Sequence, residues 1–206
     1  MTEAGIRHGE GLSPGALTTS GVGSLALAAL ASWSDPLLLV WGHVVPGWGV
    51  SGVLLVLALV LWWTCFRVAR GAEAARLLGA RATWWAGLVS RVLIVVAAFG
   101  VVGGAVNDLA QGARYYVLRP TGPGGCTAVV RETSFLMIGN GEAYAVGRTG
   151  LAWGEAGSWV VDDGYRPVAG GTYEVKWERD GGLLFINGTH TEPVIQGGMT
   201  DIDCGW

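Results

Sequence analysis

Charge is scarce in this sequence of 206 residues. Asp, Glu, Lys and Arg make up 14% of it, where a soluble domain carries about a quarter. Lysine is nearly absent: Lys176 is the only one, and the other basic residues are all arginine. With a net charge of -3 and a pI near 5.6, a nucleic-acid binder built on overall basicity is excluded. Three cysteines are too few for a disulfide-dense miniprotein. Three histidines, His8, His43 and His190, lie far apart in the chain. The patterns H-E-x-x-H, C-x-x-C, G-x-S-x-G and the P-loop are all missing. No cofactor or metal is therefore expected.

Apolar residues are what the chain has in abundance. They form 51% of it, and mean hydropathy is +0.44. Intrinsic disorder, which goes with low hydrophobicity and high net charge, is thereby excluded. With 35 glycines and almost no lysine, the composition also has the look of a GC-rich bacterial genome.

The apolar residues are unevenly placed. Residues 1–112 carry long apolar runs with five acids and six bases; residues 113–206 alternate, are punctuated by glycine, and hold eleven acids and seven bases. Such a step divides the chain into a tail (1–15), a transmembrane region (16–112) and a soluble domain (113–206). Residues 47–66 contain no charge, and at 1.5 Å per residue they span about 30 Å, the thickness of a bilayer's hydrocarbon core. Residues 84–106 contain one charge, Arg91.

The loop between these spans, 67–83, carries Arg67, Arg70, Arg76 and Arg81 against one acid, Glu73. An excess of arginine in a short loop marks the cytoplasmic side. Trp62, Trp63, Trp84 and Trp85 then flank it at the interface, where indoles prefer to lie. Arg91 either snorkels back to that interface or serves a pathway. On this topology everything from Asn107 onward is extracytoplasmic, and the protein is a multi-pass protein of the cell membrane.

The segment before residue 46 admits three readings. It is a helix over 16–33 followed by a short interfacial or re-entrant helix at 36–45, a kinked span over 22–45 with Asp35 near mid-membrane, or a cleaved signal peptide ending near Ala29-Leu30-Ala31. The first is favoured, since Asp35-Pro36 is a good N-cap and N1 pair, and gives about three transmembrane helices. Within 84–106, Gly100 and Gly104 form a G-x-x-x-G that lets helices approach closely, within the chain or between chains. Asp108, at the end of that span, is expected to cap it or pair with Arg114.

The second half reads as all-β. Tyr173, Val175 and Trp177 alternate with Glu174, Lys176 and Glu178, and Asp180-Gly181-Gly182 suits a tight turn before Leu183–Ile186. A second hairpin is expected over 129–147, turning at Asn140-Gly141. Shorter strands are expected near 113–118, 158–161 and 191–195. The domain is then a small antiparallel sandwich or barrel. A disulfide between Cys126 and Cys204 would bracket it, and the chain-entropy model assigns such a loop roughly 4.5 kcal/mol.

Candidate chemistry is thin. Asp162-Asp163 and Asp201-Ile202-Asp203 read as turn acids before cation ligands. Trp153, Trp159, Trp177, Tyr165 and Tyr173 read as core before a stacking platform. The expected function is a non-enzymatic membrane protein that presents its outer domain for binding or assembly, such as an accessory subunit of a cell-envelope complex. Its partners are the lipid bilayer and either another protein or further copies of itself, with no nucleic acid. The alternatives are an oligomeric channel using Asp35 and Arg91, or a cell-wall hydrolase built on His190 with Asp162 or Asp201.

Overall fold

The computed structural model describes residues 14–34, 36–71, 80–179 and 181–205; within the helices, the side chains of 14–22, 65–71 and 80–86 are outside that description. Three helices, α1 (Pro14–Trp33), α2 (Gly47–Gly71) and α3 (Ala80–Ala110), contact one another pairwise. Among the described residues two are long and apolar enough to cross a bilayer, α2 over Gly47–Thr64 and α3 over Gly87–Ala110; in α1 the described apolar stretch is Gly23–Trp33. Helix continues into both ends of the expected 67–83 loop, whose middle, 72–79, is outside the described residues.

Small residues hold the bundle together. Ala28, Ala29 and Ala97 are buried at its centre, with Leu54, Leu55 and Leu93 packed around them. The larger apolar side chains point outward, among them Val56, Val60, Val95, Phe99 and Val102.

The expected helix over 36–45 is not formed. Residues Leu37–Val40 (β1) and His43–Val45 (β2) are a β-hairpin, turning at Trp41 and Gly42 with φ of +50° and +81°. Positive φ at both central residues is the tight-hairpin signature. The Asp35-Pro36 signal lost because this apolar run finds a strand partner in Leu151–Ala152 (β6), far along the chain.

The remaining strands are β3 (Arg114–Val117), β4 (Thr127–Phe135), β5 (Ile138–Val146), β7 (Gly157–Asp162), β8 (Tyr173–Trp177), β9 (Gly182–Ile186), β10 (Val194–Gln196) and β11 (Met199–Ile202). A four-residue helix, α4 (Pro167–Gly170), precedes β8. They make antiparallel sheets in the orders β2-β1-β6, β10-β7-β5-β4-β3 and β11-β9-β8. The five-stranded sheet is the middle layer. One face, with Ala128, Val130, Trp159 and Val161, packs on Leu184, Ile186 and Ile202. The other, with Val129, Tyr144 and Val146, packs on Leu37 and Ala152. The result is three open sheets rather than a two-sheet sandwich or a closed barrel, and residues from the expected transmembrane region complete it.

The β8–β9 hairpin matches its sequence pattern, with Glu174 and Lys176 on the exposed face; Asp180 of its turn is outside the described residues. The β4–β5 hairpin forms with a different turn. Phe135 pairs with Ile138, so the loop is Leu136-Met137, with Leu136 at φ +56°. Asn140 and Gly141 lie inside β5 because the ring of Trp159 covers Gly141 where a side chain would stand. Cys126 and Cys204 are joined, with Cα atoms 5.9 Å apart.

Candidate functional site

Among the described side chains, a buried cluster of charge lies where the helices meet the sheets. Register places Tyr115 of β3, Arg131 of β4 and Glu142 of β5 opposite one another in one row. Alternation along a strand sends all three to the same face, together with Tyr144, two residues beyond Glu142. Asp108 arrives from the last turn of α3 and Trp48 from the first turn of α2.

Arg131 is shared between two acids. Its Nη2 and Nε donate to Asp108 Oδ1 at 2.6 and 3.1 Å, and its Nη1 donates to Glu142 Oε1 and Oε2, both at 2.9 Å. The other oxygen of Asp108, Oδ2, accepts from Tyr115 Oη and Trp48 Nε1, each at 2.8 Å. Tyr144 Oη donates to Glu142 Oε2 at 2.7 Å. Arg131 and Asp108 keep 13% side-chain exposure and Glu142 keeps 28%. A cavity of about 210 Å³ adjoins the cluster, walled by Pro36, Pro46, Trp48, Asp108, Arg131 and Glu142.

Electrostatics hold these groups in their donor and acceptor roles. Burial pushes the Tyr115 hydroxyl pKa up, and the bond to Asp108 pushes it further. Tyr144 is raised by burial and then by Glu142. Burial works against the Arg131 charge, but Glu142 and Asp108 outweigh it and the net shift is upward. Both phenols therefore stay protonated donors at neutral pH. With the guanidinium and both carboxylates occupied by each other and by their donors, the arrangement is a clamp joining α2, α3 and the middle sheet.

A second buried acid points the other way. Glu132 is 1% exposed and accepts from the backbone N–H groups of Val168 and Ala169 at 2.7 and 3.1 Å. Burial raises its pKa, against the lowering influence of those N–H groups and of Arg166. It fastens α4 to the sheet.

Among known protein families, curated proteins and solved structures, none matches this chain. Its role must be argued from its own geometry.

The residues singled out in the sequence are placed as follows. Cys126 and Cys204 come together. Gly100 faces Ser32 of α1 and Gly104 faces Trp48 of α2, so the G-x-x-x-G packs within the chain. Trp62 and Trp63 are exposed on α2. Arg67 and Arg70 on α2, and Arg81, Trp84 and Trp85 on α3, have side chains outside the description, and Asp35 is outside the described residues altogether. Arg91 is exposed on the outside of α3. Asp108 pairs with Arg131, not with Arg114.

His43 lines a cavity of about 440 Å³ with Tyr115, Tyr116 and Tyr173; His8 is outside the described residues. No hydrogen bond or ion pair joins His190 to Asp162 or Asp201 among the described residues. Asp162 and Asp203 each accept from a backbone N–H in their own turn, as turn acids do. Among the described residues no group of three or more His, Cys, Asp or Glu is placed to hold a metal. Trp159, Trp177, Tyr165 and Tyr173 belong to the core, while Trp153 stands exposed.

The clamp was the missed feature. Its one sequence signal is charge inside apolar strands: Arg131 follows Val129-Val130, and Glu142 sits between stretches that must be buried.

Proposed function

We propose that this chain is a non-enzymatic integral membrane protein that holds a β-rich region rigidly at the outer face of a cell membrane, as an accessory subunit of an envelope complex. The observation that carries this reading is the outward-facing apolar surface of α2 and α3. Of the bilayer-length stretches of α2 and α3, less than a fifth is buried within the protein. A soluble core helix has the opposite character. Fully burying one Val, Leu or Phe side chain is worth about 1.5–3 kcal/mol. Leaving this many in water would offset a stability that totals only about 5–15 kcal/mol; lipid removes the cost.

Orientation follows from the arginines of 67–83, which favour the cytoplasmic side. The sheets sit at the opposite ends of α2 and α3, where an oxidising compartment suits the Cys126–Cys204 bond. The clamp gives the arrangement its purpose. A region tethered only for proximity needs no shared guanidinium between a helix end and two strands; a region presented in a fixed pose does.

Two measurements test this. With Cys65→Ser as background, cysteines introduced at Thr149 and Leu77 are treated with a membrane-impermeant maleimide in intact cells. Position 149 labels at once and 77 only after lysis; the reverse pattern, or equal labelling, overturns the topology. Native mass spectrometry of the chain extracted mildly at normal expression then reports its company. A stoichiometric foreign protein supports the accessory role, and a chain found alone or only with itself refutes it.

A further inference from the structure

The β1–β2 turn exposes the single indole of Trp41 beside a glycine, whereas the β4–β5 turn is apolar throughout. Phe135, Leu136, Met137 and Ile138 are 56%, 85%, 67% and 53% exposed. Four consecutive exposed apolar residues at a hairpin end are an error in a water-soluble protein unless they serve a contact.

The chain shows where this tip stands. Ser134, the residue before Phe135, donates its backbone N–H to Gln111 O at 2.9 Å, and Gln111 directly follows the end of α3. Strand β4 runs antiparallel to β3, which leads away from α3, so β4 returns toward the helices. The tip therefore lies level with the last turn of α3, where Val106 and Leu109 are exposed by 58% and 83%. Trp48 packs on Gly104 and begins the apolar stretch of α2. At 1.5 Å per residue, Leu109 stands about 7.5 Å beyond Gly104, within the headgroup layer that flanks a hydrocarbon core of about 30 Å. A second apolar group reaches a similar level independently. Ala152 pairs with Leu37, so Trp153, 73% exposed, lies one residue closer to Pro36, which contacts Gly47 at the start of α2.

We propose that the Phe135–Ile138 tip, flanked by Trp153, is a second membrane anchor that inserts into the headgroup–acyl boundary of the outer leaflet. The occupant is lipid because the tip continues the outward apolar surface of α3 at its outer end, and indoles favour that layer. Depth is limited by Asp162, which pairs with Ile138, and by Asp163 beside it. Gly164 N donates to Met137 O at 3.1 Å, tying that acidic turn to the tip. Deeper insertion would carry both carboxylates out of water. The same acids make the anchor favour zwitterionic over anionic lipid at low salt. The proposal rests on the membrane reading above.

The test uses the full chain in phosphatidylcholine nanodiscs, with Cys65→Ser as background and the Cys126–Cys204 disulfide intact. An environment-sensitive fluorophore is attached at one introduced cysteine, Met137→Cys, Val95→Cys or Thr149→Cys. Lipids carrying a nitroxide at shallow or deep positions act as quenchers. The expected result is blue-shifted emission at 137 quenched most by the shallow nitroxide, deep quenching at 95, and water-like emission at 149. Quenching at 95 with water-like emission at 137 overturns the anchor and leaves the membrane reading standing. A blue shift at 137 that no nitroxide lipid quenches means that protein covers the tip, and overturns lipid as its occupant. No quenching at any position removes the membrane reading and the anchor together.

Discussion

The helical bundle and the β region place their apolar residues in opposite ways. In the β region the large side chains are inside: Trp159, Leu184 and Ile202 are almost fully buried. In the bundle the centre is held by Ala28, Ala29 and Ala97, while Val56, Val60, Val95 and Phe99 face out. The β region coheres because water drives apolar surface inward. The bundle packs closely where Gly100 meets Ser32 and Gly104 meets the Trp48 side chain, the kind of contact that the proposed lipid surroundings would call for. On the membrane reading proposed above, one chain folds by two different rules, and the Asp108–Arg131–Glu142 clamp stands where the helices meet the middle sheet.

The comparison can be broken at several points. The largest effect is expected from replacing Cys126 and Cys204 together by serine, at about 4 kcal/mol. Hydrogen exchange followed by mass spectrometry should show faster exchange throughout β4 to β11 and unchanged protection in α2 and α3. Equal loss in both regions would mean that they do not fold by separate rules. Arg131→Ala comes next. Removing one partner of a buried pair costs about 3–5 kcal/mol, and the lower end applies because Glu142 keeps some contact with water. Exchange should accelerate both at the outer end of α3 and in β3 to β5; acceleration confined to the strands would show that the clamp does not couple them.

Gly100→Val should act on the bundle alone. A Cβ there would stand 2.5 Å from Ser32 Oγ, an overpacking worth about 2 kcal/mol. A lowered melting temperature with an intact β-region exchange pattern is the expected signature.

The smallest effect concerns pH. Burial raises the pKa of Glu132 above its ordinary value of 4.5. The folded state then binds a proton more tightly than the unfolded state, so the stability linked to this group is complete below about pH 4.5 and declines as pH rises through the folded pKa. Glu132→Gln does not titrate. The melting-temperature difference, native minus variant, should therefore shrink from acidic toward neutral pH, and a difference that grows would contradict the sign.

Legibility followed locality. The alternation at Tyr173, Val175 and Trp177, the long apolar runs under α2 and α3, and the pairing of two cysteines in one β-rich half all reside in short stretches or simple counts. What lay hidden depended on distant neighbours. Residues 37–45 are an apolar run that suits helix or strand equally by periodicity, and β6 decided between them. Asn140-Gly141 has the chemistry of a turn, but Trp159 needed that glycine for its ring, and the turn moved to Leu136-Met137, which no propensity favours. Asp108 looked toward Arg114, its neighbour in sequence, and met Arg131 from across a strand.

The hairpin of β1 and β2 has a consequence for how the molecule is made. It leaves the ribosome between two helices, long before Leu151 and Ala152 exist to pair with it, and the face of the middle sheet that it covers is made later still than the hairpin itself. Paired on one side with β2, β1 must wait with its other edge open for β6. Cutting the chain after α3 would not release a finished domain: Val129, Tyr144 and Val146 would lose Leu37 and its neighbours and face water. The helical half and the β region are not modules laid end to end; a stitch passes from the first into the second, and the sheet is not complete without it.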